Sequence, residues 1–70
     1  MIQMVPVSSS NLRAVGYDPN TQTLRIEFHS RTYDYYNVPA SIHSGLMNAS
    51  SKGQYHYAHI KNSYRYKKIG

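Results

Sequence analysis

The sequence lacks cysteine, and none of its apolar runs is long enough to form a membrane span. Without cysteine the chain has neither disulfides nor thiolate zinc ligands, so an apolar core has to stabilise the fold. A membrane-spanning helix needs about 18 apolar residues in a row. The first ten residues also lack the charged start and the apolar stretch of a signal peptide. We therefore expect a cytoplasmic protein made of one domain.

Acidic residues are scarce and unevenly placed. Asp18, Glu27 and Asp34 are the only acids among 70 residues, against eight lysines and arginines, and the formal net charge is +5. Residues 35–70 contain no acid at all. An excess of this kind attracts anions such as nucleic acid or phosphorylated ligands. A solvated basic tail that only keeps the protein soluble has the same composition, so both interpretations stay open.

Tyrosine is the abundant aromatic residue, with eight copies and no tryptophan. Each tyrosine has a large apolar ring and a hydroxyl that needs water or a hydrogen-bond partner, which suits both a half-buried core and a binding surface. A domain of this length buries only about 60% of the surface that its unfolded chain exposes. We therefore expect a shallow surface site rather than a deep pocket.

Three strands are predicted in the first half of the chain. Residues 12–17 suit a strand, and residues 18–21 place Asp and Pro at the first two positions of a turn, which predicts a hairpin. Apolar and polar residues then alternate over 23–29, the pattern of a strand with one buried face. A third strand is predicted over residues 32–38.

The register of the second and third strands follows from their short connection. A turn centred on residues 30–31 sets Ile26 opposite Tyr35 on the inner face of the sheet. The same register places Glu27 opposite Asp34 on the outer face. This like-charge pair is unfavourable unless a nearby cation compensates it.

Two helices are predicted in the second half. Apolar residues recur at helical spacing from Val38 to Ala49, and proline suits the first turn of a helix, so residues 39–49 are predicted to be helical. A second, short helix is predicted from about residue 54. Its apolar face would consist of Tyr57, Ile60 and Tyr64. The last segment, residues 64–69, is either a frayed end or a short strand.

Together these elements predict a small α+β domain with the order β-β-β-α-α. A three-stranded antiparallel sheet would be packed by one or two C-terminal helices. Residues 1–6 are predicted to form an N-terminal arm, and residues 7–70 the domain itself.

A series of short motifs extends over about residues 7–69. The motifs are Val7-Ser8-Ser9-Ser10-Asn11, Val15-Gly16-Tyr17-Asp18, Tyr33-Asp34-Tyr35, Val38-Pro39, Gly45-Leu46-Met47-Asn48-Ala49-Ser50, Gly53 with Tyr55, and Ile60 with Tyr64-Arg65-Tyr66. In their order and spacing they resemble the KTSC domain family. That family is named for the C-terminus of some lysyl-tRNA synthetases, also occurs as small stand-alone proteins of bacteria and phages, and has a central Tyr-x-Tyr motif. The resemblance implies RNA binding, by analogy with the tRNA enzyme to which the domain is fused.

The sequence departs from the family pattern in the turn before the third strand. Relatives usually have glycine there, whereas residues 29–32 contain none. A two-residue hairpin favours positive φ at its centre, which Ser30 and Arg31 would adopt at a cost of about 1 kcal/mol. We therefore expect a strained or wider turn.

The segment from residue 52 to residue 68 interleaves aromatic rings and cations, a composition typical of a nucleic-acid or nucleotide surface. The predicted phosphate ligands are Lys52, Lys61, Arg65, Lys67 and Lys68. The predicted stacking residues are Tyr36 and Tyr66. For Tyr33 and Tyr35 two interpretations remain: core residues with hydroxyls at the rim, or a stacking platform for bases.

Neither a metal site nor an active site is predicted. His56 and His59 are three residues apart, but a zinc site needs three or four protein ligands. No nucleophile motif or glycine-rich phosphate loop accompanies the histidines. We expect a protein that is not an enzyme and uses no cofactor.

Three functional hypotheses follow. The leading one is a non-catalytic module that binds RNA or single-stranded nucleic acid. The second is a small bacterial or phage protein that sequesters a phosphorylated nucleotide signal. The third is a protein-interaction or oligomerisation module, and homo-oligomers are compatible with all three.

Overall fold

The computed structural model describes residues 2–70 and contains one five-stranded antiparallel sheet. The strands follow each other in sequence order: β1 (Met4–Pro6), β2 (Leu12–Asp18), β3 (Thr23–Phe28), β4 (Thr32–Tyr35) and β5 (Tyr66–Lys68). Two helices, α1 (Ala40–Asn48) and α2 (Lys52–Tyr55), connect β4 to β5, and α2 continues into a π-helical turn (His56–Ile60). The predicted α+β class is confirmed, but the prediction of three strands was wrong.

The two strands beyond the predicted three lie at opposite edges of the sheet. Strand β1 lies within the predicted arm, residues 1–6, and pairs with β2 through Val5 and Val15. Residue 1 of that arm lies outside the described residues. Strand β5 lies in the segment 64–69, for which a frayed end and a short strand were the two predictions, and it pairs with β4. Each strand has three residues, too few for an alternating pattern to identify it.

The β3–β4 hairpin has a different register from the predicted one. Ile26 lies opposite Tyr33, not Tyr35, and Asp34 lies opposite Arg25, not Glu27. The predicted like-charge pair is thereby replaced by an ion pair. The Arg25 Nε donates to Asp34 Oδ1 at 2.7 Å, and Nη2 donates to Oδ2 at 3.0 Å. Because the shift is two residues, every side chain stays on its predicted face.

The turn between β3 and β4 is centred one residue earlier than predicted. The Phe28 N–H donates to the Arg31 carbonyl at 2.7 Å and closes the turn around residues 29–30. Neither Ser30 nor Arg31 has a positive φ, so the strain predicted there is absent.

The core lies between the inner face of the sheet and the helices. Val15, Leu24 and Ile26 from the sheet are at most 1% exposed, and Leu46 of α1 is fully buried against them. The predicted first helix is confirmed, with Pro39 as its N-cap residue. Within residues 2–70, no helix has the length and apolar character needed to cross a bilayer.

The predicted apolar face of the second helical segment is confirmed at Ile60 and Tyr64 but was wrong at Tyr57. Tyr57 was expected to pack inward, but it is 68% exposed, while His56 and Ile60 are buried. Helix α2 begins at Lys52, earlier than predicted, and the Ser51 Oγ accepts the Gln54 N–H at its start. The wide π-helical turn then changes the phase of the side chains that follow.

Candidate functional site

An open groove of about 1130 Å³ lies between the sheet, at β4, β5 and the β3–β4 turn, and the second helical segment from its start to its end. Tyr33 and Tyr35 of β4 and Tyr66 of β5 line the sheet side. His56 and Tyr57 line the helical side. The sequence predicted a shallow surface site, and the groove is of that kind.

The sheet side of the groove is a cluster of aromatic rings. Tyr35 and Tyr66 are cross-strand partners, with ring centroids 5.8 Å apart. The ring of Tyr33 stands edge-on to Tyr66 at 5.6 Å and to Phe28 at 6.0 Å. Residues two apart on a strand share a face, so the Tyr33-Asp34-Tyr35 motif directs both tyrosines to this side.

A buried hydrogen bond joins the two sides of the groove. The Tyr35 hydroxyl lies 2.7 Å from His56 Nε2. Burial, and to a smaller extent the neighbouring Tyr33 and Tyr66, raise the pKa of Tyr35 to about 12. Burial and the nearby charge of Lys61 lower the pKa of His56. Both groups are therefore neutral at pH 7.

The charges that line the groove are all positive. Arg31 and Lys61 contribute to its wall, and no acid of the described residues does so. Lys61 Nζ lies 5.0 Å from the centroid of the Tyr57 ring, within cation–π distance. By strand alternation Glu27 and Asp34 face the other side of the sheet.

The five predicted phosphate ligands do not form one surface. Lys61 lines the groove, and Lys68 pairs with Tyr33 on the same side of the sheet. Lys67 pairs with Asp34 and therefore faces the opposite side. Arg65 directly precedes β5, is exposed and does not line the groove. Lys52 lies elsewhere, where its Nζ donates to the Ala49 carbonyl at 3.2 Å.

The two predicted stacking residues are also separated. Tyr66 is 59% exposed and lines the groove. Tyr36 lies outside the groove lining and near Arg25, whose pKa is raised mainly by the hydrogen bond with Asp34 and to a small extent by Tyr36. Of the two tyrosines of the Tyr-x-Tyr motif, Tyr35 is 4% exposed and belongs to the core, whereas Tyr33 is half-buried, packs against the core and lines the groove.

Several groove residues were not among the predicted site residues, among them Arg31, His56 and Tyr57. Arg31 was considered only for its charge and for its place in the β3–β4 turn, Tyr57 was predicted on the apolar face of the second helix, and His56 was one of the rings of the basic segment. A π-helical turn leaves no pattern in the sequence that reveals which of His56 and Tyr57 is buried. The position of Arg31 beside the β3–β4 turn was available as a signal.

The described residues contain no group of three His, Cys, Asp or Glu side chains arranged to hold a metal ion. His56 is bonded to Tyr35, and the ring of His59 lies 4.6 Å from that of Tyr55. The two histidines therefore have different neighbours.

Comparison with known proteins identifies the family to which this chain is similar. The profile of the KTSC domain matches residues 8–64. A lysine–tRNA ligase of Nostoc sp. is 43% identical over 61 residues, which cover 86% of this chain and 11% of the ligase. The chain thus corresponds to a small part of that enzyme. An uncharacterized protein of Stutzerimonas stutzeri is 39% identical over 70 residues, covering 97% of this chain and 99% of that protein.

The fold agrees with a crystal structure as well. A KTSC domain protein from Yersinia pestis superimposes with a TM-score of 0.96 at 41% sequence identity, and the match covers 100% of both chains. Sequence and fold thus agree over most or all of the chain, which belongs to the KTSC domain family.

Proposed function

We propose that this domain binds single-stranded nucleic acid, RNA in particular, in the groove and without catalysing a reaction. One observation carries the proposal: exposed and half-exposed aromatic rings line a groove whose only charged residues, among those described, are cations. Every base has a flat face that stacks on an aromatic ring, which stabilises binding by about 1–3 kcal/mol per base. Lys61 and Arg31 supply positive charge for the phosphates.

Two further facts support RNA as the ligand. A related segment of similar length belongs to a lysine–tRNA ligase, an enzyme that acts on an RNA. This argument rests only on the fusion of a related segment to the enzyme, so the physical support for RNA binding comes from the groove. The Tyr66 ring is exposed at the groove wall, and aromatic side chains of this kind are the common platform for unstacked RNA bases.

The first test compares two matched double variants. Arg31→Gln with Lys61→Gln removes two cations from the groove, and Arg65→Gln with Lys67→Gln removes two from outside its lining. Binding of a fluorescein-labelled ten-nucleotide oligouridylate is measured by anisotropy over a range of salt concentrations. We expect the groove variant to bind more weakly and to reduce the slope of log affinity against log salt by about 0.7 for each lost phosphate contact.

The outer variant controls for net charge, because it loses the same two charges. It should keep the salt slope of the parent. Exposed charges contribute little to stability, so neither variant should change the melting temperature much. Equal losses in both variants would show that binding follows total charge and not the groove, and would refute the proposal.

The volume of the groove favours one second candidate, the sequestration of a phosphorylated nucleotide. Pockets for small ligands measure about 300–1,000 Å³, and the groove, at about 1130 Å³, is large enough for one nucleotide. Competition of the labelled oligonucleotide with uridine monophosphate distinguishes the two. A mononucleotide that competes as well as the oligonucleotide would favour sequestration.

A further inference from the structure

The hydrogen bond between Tyr35 and His56 can form in two directions. Tyr35 is 4% exposed, and His56 is the only protein partner of its hydroxyl among residues 2–70. If the imidazole donated from Nε2, the hydroxyl proton would have no protein acceptor. If the hydroxyl donates to Nε2 instead, the neutral ring has its proton on Nδ1.

The Nδ1–H group of His56 is then an unused donor. No described residue accepts a hydrogen bond from it, although His56 as a whole is only 9% exposed. In the described part of the chain, every fully buried side-chain nitrogen or oxygen has a partner. The Nδ1 atom is therefore not fully buried, and His56 is one of the residues that line the groove.

The surroundings of this donor are aromatic. The rings of Phe28 and Tyr35 stand edge-on to the imidazole, with centroids 5.2 Å and 5.5 Å away. A phosphate is strongly hydrated and finds its cations on the exposed Arg31 and Lys61 side chains. A flat base with an acceptor atom on its edge suits a neutral donor between aromatic rings better.

Building on the proposed function, we propose that His56 is a specificity residue whose Nδ1–H donates a hydrogen bond to an acceptor on one unstacked base in the groove. Tyr35 is then a positioning residue, because its hydroxyl holds the imidazole in the required tautomer. The base stacks against the exposed tyrosines of the groove while its phosphate contacts the cations.

Two substitutions of His56 test the roles of its two ring nitrogens separately. The amide of His56→Gln reaches the position of Nε2 and keeps a partner for Tyr35, but it leaves no donor at Nδ1. The shorter amide of His56→Asn places an N–H near Nδ1 and loses the contact with Tyr35. With the labelled oligouridylate, we expect His56→Gln to bind about tenfold more weakly than the parent at an unchanged melting temperature. We expect His56→Asn to keep most of the affinity at a lower melting temperature.

Inorganic polyphosphate, which has no bases, is the second probe. Its binding should be the same for the parent and both variants. The inference is overturned if His56→Gln binds the oligouridylate as tightly as the parent, if both variants lose equal affinity, or if polyphosphate binding falls in parallel. If His56→Asn does not fold, the affinity of His56→Gln for the oligouridylate and for polyphosphate is enough to test the inference. A parent protein that binds no oligouridylate refutes the proposed function itself, and the inference with it.

Discussion

Individual polar residues in the interior of this small domain are paired. The carboxylate of Asp34, a residue only 6% exposed, accepts two hydrogen bonds from Arg25, its cross-strand neighbour. The Tyr35 hydroxyl and His56 Nε2 form another buried hydrogen bond, 2.7 Å long. A buried polar group without a partner costs about 1–3 kcal/mol, a large part of the stability of a 70-residue domain. These pairs therefore limit which substitutions the chain tolerates.

The neutral histidines make stability depend on pH. Burial lowers the pKa of His43, and burial together with Lys61 lowers the pKa of His56. In the unfolded chain a histidine binds a proton near pH 6.5, so the unfolded state binds more protons below that pH. Stability should be constant above about pH 7 and should fall as the pH decreases through about 6.5, by at most about 1.4 kcal/mol per pH unit for each histidine.

Thermal melts between about pH 8 and pH 5.5 check this. The loss on acidification should be smaller in His56→Gln, whose amide does not titrate, and unchanged in the control His59→Gln at an exposed position. A variant His56→Gln with the same pH dependence as the parent would contradict the assignment of a neutral, buried His56.

The longer helices and strands could be predicted from the sequence, whereas the shortest strands could not. Strand β3 and helix α1 were predicted from the periodicity of their apolar residues. Strands β1 and β5, with three residues each, have no such periodicity. The register error in the β3–β4 hairpin was two residues, which apolar alternation cannot detect because the faces are unchanged. The like-charge pair of Glu27 and Asp34 was the signal that the register was wrong.

The candidate site was predictable in its composition but not in its arrangement. The sequence indicated tyrosines and cations, and the structure brings Tyr66 and Lys61 to one groove. It also places Tyr36, Arg65 and Lys67 outside the groove lining. Lys67 lies there because β5 pairs with β4 and alternates its side chains between the two faces. That separation depends on a short strand that the sequence did not distinguish from a frayed end.

Strand β1 packs closely on β2 at Gly16, so a larger side chain at this position should destabilise the domain. A Cβ atom on Gly16 would lie 2.7 Å from the Met4 sulfur and 2.9 Å from the Gln3 carbonyl oxygen. Gly16→Val should therefore displace β1 and destabilise the domain by about 1–3 kcal/mol. Urea unfolding measures the loss. The control Arg13→Val adds a branched side chain at an exposed position of β2, and equal stability of the two variants would contradict this packing.

For the whole molecule, the distribution of charge distinguishes the two faces of the sheet. The domain measures 28 × 24 × 21 Å, so the two faces are only a short distance apart. The groove face combines aromatic rings with Lys61 and Arg31, while Asp34 and Glu27 face the outer side. On the outer side Asp34 partly neutralises the positive charge of Arg25. A polyanion should therefore prefer the groove, although the net charge of +5 attracts it from every direction.

The most direct test of this account is an NMR titration of the isotope-labelled domain with the ten-nucleotide oligouridylate. Backbone amides of residues 53–62 and the side chain of Tyr66 should shift in proportion to saturation, because they line the groove or adjoin its lining. Amides of β1, at the far edge of the sheet, should not. Shifts concentrated around Arg25, Tyr36 and Lys67, or no shifts at all at concentrations that saturate the anisotropy signal, would contradict the groove as the binding site.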